Sequence, residues 1–251
     1  MTAASAPYIG TAGWQHAHWR ERFYPRRLPA HAWLDHYGRQ LNTDELNAGR
    51  QDILDGNHSA TWRSAVPAGF SFTFQAPRRI THVHKLRNCT HLVDAMLERL
   101  TGLECHLGPI LFSLPARWHC NLERLERFIA ELPTGFRYAF EFHDPDWLRP
   151  ETYAVLAQHA AALCISDRMP LEHQDVVTGD FVYARLYGPG NGGRYTSVGL
   201  RAWTARIAGW QRRTLASYVL FQNDALAHAA RNACLLRDMN VLGAAGRSAA
   251  V

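Results

Sequence analysis

Eight short runs of β-branched, aromatic and other apolar residues recur along the chain, and most are followed by a stretch of helical periodicity. The runs are Tyr8–Gly13, Thr43–Asn47, Phe70–Ala76, Pro109–Leu114, Phe136–Phe142, Ala162–Ser166, Phe181–Tyr187 and Ser217–Gln222. Helical patterns fall at Ala30–Gln40, Ser59–Ser64, Asp94–Leu100, Leu122–Leu132, Arg149–Ala160, Leu200–Trp210 and Ala225–Asp238. The fourth places Leu122, Leu125, Phe128, Ile129 and Leu132 on one face, and the fifth has Pro150 in its first turn. Only the sixth crossover, Asp167–Gly179, lacks helical periodicity. Alternation of this kind calls for parallel strands joined by crossover helices. A count of eight favours closure into a TIM-type (βα)8 barrel over its rival, an open doubly wound α/β sheet.

The length of 251 residues is about that of one such barrel, and no Pro/Gly/Ser-rich linker divides it. One domain over residues 1–242 is therefore expected, with residues 243–251 as a flexible tail. No stretch approaches the ~20 apolar residues of a membrane span, and Met1–Ala6 lacks a signal peptide's apolar core, so no membrane partner is expected. Five widely spaced cysteines, Cys89, Cys105, Cys120, Cys164 and Cys234, form no CxxC pair and read as reduced thiols of a cytoplasmic protein. The net charge of +5 suits an anionic partner. Among 27 basic residues only Lys85 is a lysine.

In a barrel the pocket is built from strand C-termini and the loops after them. Polar residues gather at those positions: Thr11, Trp14, His16 and His18 after the first strand; Glu45 and Asn47 on the second; Gln75, Arg78, Arg79, Thr81, His82, His84 and Lys85 at the third. Ser113 lies on the fourth, Glu141, His143 and Asp144 at the fifth, Asp167 at the sixth, Arg185 and Tyr187 on the seventh, and Asn223 and Asp224 after the eighth. Glu141 and His143 are two apart and so share one strand face, as do Glu45 and Asn47. A carboxylate within an apolar strand needs a partner, and an ion pair with Arg185 inside the barrel is the purely structural alternative for Glu141. His16 and His18 read as loop hydrogen-bonders. Gly188-Pro189-Gly190 with Gly192-Gly193 has the place of a phosphate cradle without a fixed phosphate-binding pattern, and reads as an ordinary loop.

Ile9-Gly10-Thr11-Ala12-Gly13-Trp14 with Trp19 and Phe23-Tyr24-Pro25 resembles the opening of the YecE-like family, number seventy-two among domains of unknown function. The likeness continues through Glu45-Leu46-Asn47, Ala76-Pro77, Ile80-Thr81-His82, Leu107–Phe112, Tyr138–Phe142, Arg185-Leu186 and Asn223-Asp224, nearly the whole chain. The resemblance implies a barrel and no particular reaction. Departures from the family pattern fall at Ala48–Asp52, Gln75, Ser113, His143 and Tyr187, so part of the pocket lining has changed.

The expected function is an enzyme with hydrolase- or lyase-like acid–base chemistry on an anionic, phosphate-bearing substrate. Glu45, Glu141, His143, Asp167 and Asp224 are the catalytic candidates, with Glu141 or Glu45 as general acid or base, its pKa raised by burial and by a neighbouring carboxylate. Trp14, Asn47, His82, Lys85, Arg185, Tyr187 and Asn223 are the substrate-binding candidates, with Lys85 and the loop arginines holding negative charge. The five catalytic candidates also offer ligand types for a divalent ion, but no tight metal-motif spacing occurs, so no metal is assigned and any cofactor is left open. The competing class is a non-catalytic binder of nucleic acid or another anion, with Trp14, Trp19, Phe23 and Tyr24 stacking on bases.

Overall fold

A computed structural model describes residues 6–47, 58–213 and 215–248; the departure at Ala48–Asp52 lies outside them. Eight parallel strands close into a ring in sequence order: β1 (Tyr8–Thr11), β2 (Thr43–Asn47), β3 (Ser71–Gln75), β4 (Leu107–Leu114), β5 (Tyr138–Phe142), β6 (Ala162–Ser166), β7 (Phe181–Leu186) and β8 (Ala216–Phe221). Pairing of Tyr8 with Tyr218 through Thr11 with Phe221 joins the last strand to the first. The chain is thus a closed α/β barrel rather than an open sheet. Helices α1 (Trp33–Gln40), α2 (Ser59–Ala65), α3 (Thr90–Leu100), α4 (Leu122–Ala130), α5 (Pro150–Gln158), α7 (Ser197–Arg212) and α8 (His228–Ser248) alternate with the strands, and α6 is a four-residue turn at Pro189–Gly192.

Many element boundaries differ from the sequence expectation by a few residues, those of β1 and α8 among them. β1 stops at Thr11, because Gly13 turns the chain with φ +85°. α8 runs through Ser248, beyond the Asp238 end that the helical periodicity gives. The sixth crossover holds only a short 3-10 turn at Leu171–His173, as its lack of periodicity implies. There the Thr178 hydroxyl substitutes for helical bonding: it donates to the Ala161 carbonyl (2.7 Å) and accepts from the Leu163 amide (2.8 Å).

The strand period of two separates two apolar compartments. Leu111, Ala139, Ala162, Cys164, Phe181, Tyr183, Tyr218 and Leu220 fill the interior, and the Tyr8 and Tyr218 rings stack at 4.6 Å. Their outward neighbours, such as Phe112, Phe140, Val182 and Val219, pack under the helices. Each such side chain contributes about 1.5–3 kcal/mol by leaving water. All five cysteines are free thiols. Among the described residues no helix is long and apolar enough to cross a membrane.

Asp44 interrupts the outer compartment. It is fully buried, and neither carboxyl oxygen has a hydrogen-bond partner among the described residues, although Tyr37, Thr11 and the Gly13 amide surround it. Burial, reinforced by the charge of Glu45, pushes its pKa well above the usual carboxylate range. The folded chain therefore keeps a proton that the unfolded chain loses above about pH 4. Stability falls with rising pH through this group until the folded-state pKa is passed. Asp44→Asn, an isostere of the protonated acid, should match the wild type in urea melts near pH 4. It should then gain on it by up to about 1.4 kcal/mol per pH unit as pH rises above about 4, until the folded-state pKa is passed. A constant difference across that range would contradict the assignment.

Candidate active site at the barrel mouth

Above the apolar filling, the inward strand positions become polar. Register sets Ser113 beside Glu141 and Glu45 beside Thr73, and Arg185 rises from β7 between them and Gln222. Arg185, 6% exposed, is the hub. One terminal nitrogen donates to Glu141 Oε2 (2.5 Å) and to the Tyr187 hydroxyl (2.9 Å); the other donates to Glu45 Oε1 (2.8 Å) and Gln222 Oε1 (3.1 Å). The Tyr183 hydroxyl donates to Glu45 Oε2 (2.7 Å), the Gln222 amide to Glu45 Oε1 (3.2 Å) and the Tyr187 hydroxyl to Glu141 Oε1 (2.6 Å). Two buried carboxylates thus flank one guanidinium.

This arrangement corrects the expected role of Glu141. Burial pushes its carboxyl pKa up, but Arg185, His143 and Tyr187 more than offset burial and hold it well below the usual range. Glu141 is therefore a fixed anion at neutral pH, not a general acid. Arg185 stays charged for the same reason: burial opposes its charge, and Glu141 and Glu45 more than restore it. Both terminal nitrogens of Arg185 are engaged by protein, holding Glu141, Tyr187, Glu45 and Gln222 together.

His143, immediately after β5, stands on top of this frame with its side chain 31% exposed. Its Nε2 lies 3.0 Å from Ser113 Oγ and 3.2 Å from Glu141 Oε2, and the Ser113 hydroxyl donates to Glu141 (2.7 Å). Because Ser113 spends its proton on Glu141, it can only accept from His143. Nε2 is therefore protonated and Nδ1 is the basic nitrogen. His82 is close by: burial, then the charges of Arg78 and His143, lower its pKa, and its Nδ1 lies 2.9 Å from Thr81 Oγ1.

A pocket of about 570 Å³ opens beside this centre, lined by Asp167, Arg168, Gly188, Pro189, Tyr195 and Thr196 among others. Asp167 builds its floor. Its carboxylate accepts from the amides of Tyr187 (3.0 Å) and Gly188 (2.8 Å) and from the Tyr195 hydroxyl. Gly188 is required there: its φ is +85°, and a Cβ would sit 2.4 Å from the Gly193 carbonyl oxygen. The Arg168 guanidinium lies 3.7 Å from the Tyr187 ring centroid, linking the pocket to the central frame. Thr196 caps the 16-residue α7 at the pocket edge, accepting from the Gly199 amide (3.2 Å).

The other sequence candidates separate. Asp167 and Asn223 are loop ties; Asn223 is fully buried, and its amide donates to Gly193 (2.9 Å) and Asn232 (3.1 Å). Trp14 is core, packed edge-on against Trp62 at 5.2 Å. Asn47 bonds Gln75 at the end of β2 (3.2 Å). The Lys85 ammonium sits 5.9 Å from the Trp118 ring centroid. Asp224 joins His16, His18 and Trp19 instead of the acidic centre. Trp19 and Tyr24 are buried, so they offer no stacking platform for bases. Sequence reasoning missed Gln222 and Arg168; the inward phase of β8 points to Gln222 two positions beyond Leu220.

A family model described as "Protein of unknown function DUF72" matches residues 8–249. The chain is 30% identical over 141 residues to the UPF0759 protein YecE of Escherichia coli strain K12, covering 56% of this chain and 49% of that protein. It thus spans about half the length of the curated relatives it matches. Among solved structures, a DUF72 family protein of Thermotoga maritima superposes with a TM-score of 0.78 at 23% identity, over 94% of this chain and 99% of that one. One from Enterococcus faecalis V583 gives 0.78 at 17% identity, over 94% and 95%. These two likenesses concern the fold alone.

Proposed function

The chain belongs to the family of proteins of unknown function DUF72, and from that premise we propose that its barrel mouth is an acid–base catalytic site for an anionic, phosphate-bearing substrate. The observation that carries this is the fixed imidazole. His143 Nε2 is held 3.0 Å from Ser113 and 3.2 Å from a carboxylate, Glu141, that Arg185 keeps ionised. A histidine oriented in this way, with Nε2 tied to Ser113 and Glu141, leaves Nδ1 as the nitrogen that can exchange a proton with a substrate. The proton it takes from water or from a substrate C–H is returned to the departing oxygen, so the ring begins and ends neutral. Glu45 and Arg185 position; Tyr187 joins the frame to the neighbouring pocket.

The phosphate side of the proposal draws on that pocket. Arg168, the loop after β7 and the start of α7 border it, the region where barrels often hold phosphate. Calorimetry with inorganic phosphate and a panel of sugar phosphates tests it. We expect saturable binding, weakened about tenfold by Arg168→Ala, as for loss of one charge-assisted hydrogen bond. Absence of phosphate binding to the intact chain defeats the proposal. Tight binding of single-stranded oligonucleotide that falls steeply with salt, without turnover, would favour the binder class instead.

A further inference from the structure

We propose that His16, His18 and Asp224 form a binding site for one divalent transition-metal ion of the zinc type, at the rim where the loops after β1 and β8 meet. Their ligand atoms lie within 4.8 Å of one another. His16 Nδ1 is 3.1 Å and His18 Nε2 3.2 Å from Asp224 Oδ2. Neighbouring nitrogen and oxygen ligands about 2.0–2.2 Å from an ion stand roughly 2.8–3.1 Å apart in octahedral and roughly 3.3–3.6 Å apart in tetrahedral geometry, and both separations lie within this span.

The surroundings of the three residues fit a ligand role. His16 Nε2 lies 3.2 Å from the Ala12 carbonyl oxygen, which can only accept, so Nε2 carries the proton. In the neutral ring, Nδ1 then directs its lone pair toward Asp224 Oδ2, and a cation held between them, a proton or a metal ion, makes the contact attractive. A backbone carbonyl fixing the remote nitrogen is also the usual support of a metal-bound imidazole. Asp224 is fixed likewise: the Trp19 indole N–H donates to Oδ1 at 2.5 Å, leaving Oδ2 for the histidines. Gly13 leaves space for the His16 ring, since a Cβ there would stand 3.2 Å from Nε2.

His18 Nε2 also lies 3.0 Å from the Asp224 carbonyl oxygen. Binding therefore moves the His18 proton from Nε2 to Nδ1, while the half-exposed ring keeps Nδ1 within reach of water. Two imidazoles and one carboxylate suit zinc or its first-row neighbours better than magnesium or calcium, which take oxygen sets. Three protein ligands leave coordination positions for water or an exchangeable group. The site shares no ligand with the acid–base centre, so either assignment can fail alone.

The test is titration of the chelator-treated full chain with Zn2+, followed by calorimetry and by native mass measurement. The expected result is one ion per chain, with affinity reduced at least tenfold in each of His16→Ala, His18→Ala and Asp224→Asn. Asp224→Asn retains an oxygen acceptor for Trp19, and a metal-free thermal melt checks that each variant folds. Should a variant not fold, His18→Ala decides alone, because this ring is the most exposed of the three. Failure of the intact chain to bind Zn2+ saturably overturns the proposal. So does one-to-one binding that survives all three substitutions.

Discussion

Arg185→Leu is expected to destabilise the fold by about 3–5 kcal/mol, the usual cost of removing one partner from a buried ion pair. At this chain length that corresponds to a fall in Tm of roughly 10 °C. Arg185 is the cation that both Glu45 and Glu141 contact, at 2.8 and 2.5 Å, and all three side chains are buried. Its loss strands two carboxylates in the barrel interior. The pH dependence gives a second readout. In the wild type Glu141 is held below its unfolded pKa, so its stabilisation is present above about pH 4 and disappears as acid reaches the folded-state pKa. Without Arg185 the same carboxyl is stabilised by protonation. The gap between wild type and variant should therefore narrow as pH falls from neutral, beginning where the buried carboxyl of the variant takes up its proton and continuing until Glu141 of the wild type protonates. Adding Glu45→Gln and Glu141→Gln to the variant should recover part of the loss, because unpaired buried charge is the larger penalty. A variant as stable as the wild type at pH 7 would mean that the ion-pair frame does not carry the mouth.

His143→Asn should lower turnover of a cognate substrate by about 10²–10⁴-fold, the contribution of a positioned acid–base group, while ligand binding persists. The cost in stability should stay near or below about 1 kcal/mol, since the ring is 31% exposed and Glu141 keeps Arg185, Tyr187 and Ser113. Glu141→Gln is a poorer probe of the same chemistry. It loses activity by misplacing His143 and at the same time unbalances Arg185, so catalysis and folding fall together. Equal turnover in His143→Asn and the wild type would remove His143 from the mechanism.

Strand phase and strand order were legible in the residues themselves. Alternation of Thr43, Glu45 and Asn47, or of Tyr183, Arg185 and Tyr187, marks one strand face, and eight repeats imply closure. That Arg185 pairs Glu141 was open as an alternative, since a lone carboxylate on a buried strand demands a cation. Whether a group becomes a base or a strut was not legible, because it depends on competition between burial and the nearest charge. For Glu141, Arg185 and its hydrogen bonds win; for Asp44, burial wins. Asp167 and Asn223 lie at strand ends, as catalytic residues would, yet their polar atoms serve backbone amides and carbonyls of the loop after β7. Proximity of His16 and His18 to Asp224 spans more than two hundred positions of sequence. Ring closure is the signal that would have exposed it, because a closed barrel makes the first and last loops neighbours.

The graded interior has a consequence for traffic through the molecule. Leu111, Phe181, Tyr183, Tyr218 and Leu220 cork the lower bore, so among the described residues the way to the Glu45–Arg185–Glu141 frame is from above. Whatever enters must leave by the same doorway, so one occupant has to clear it before the next can be seated.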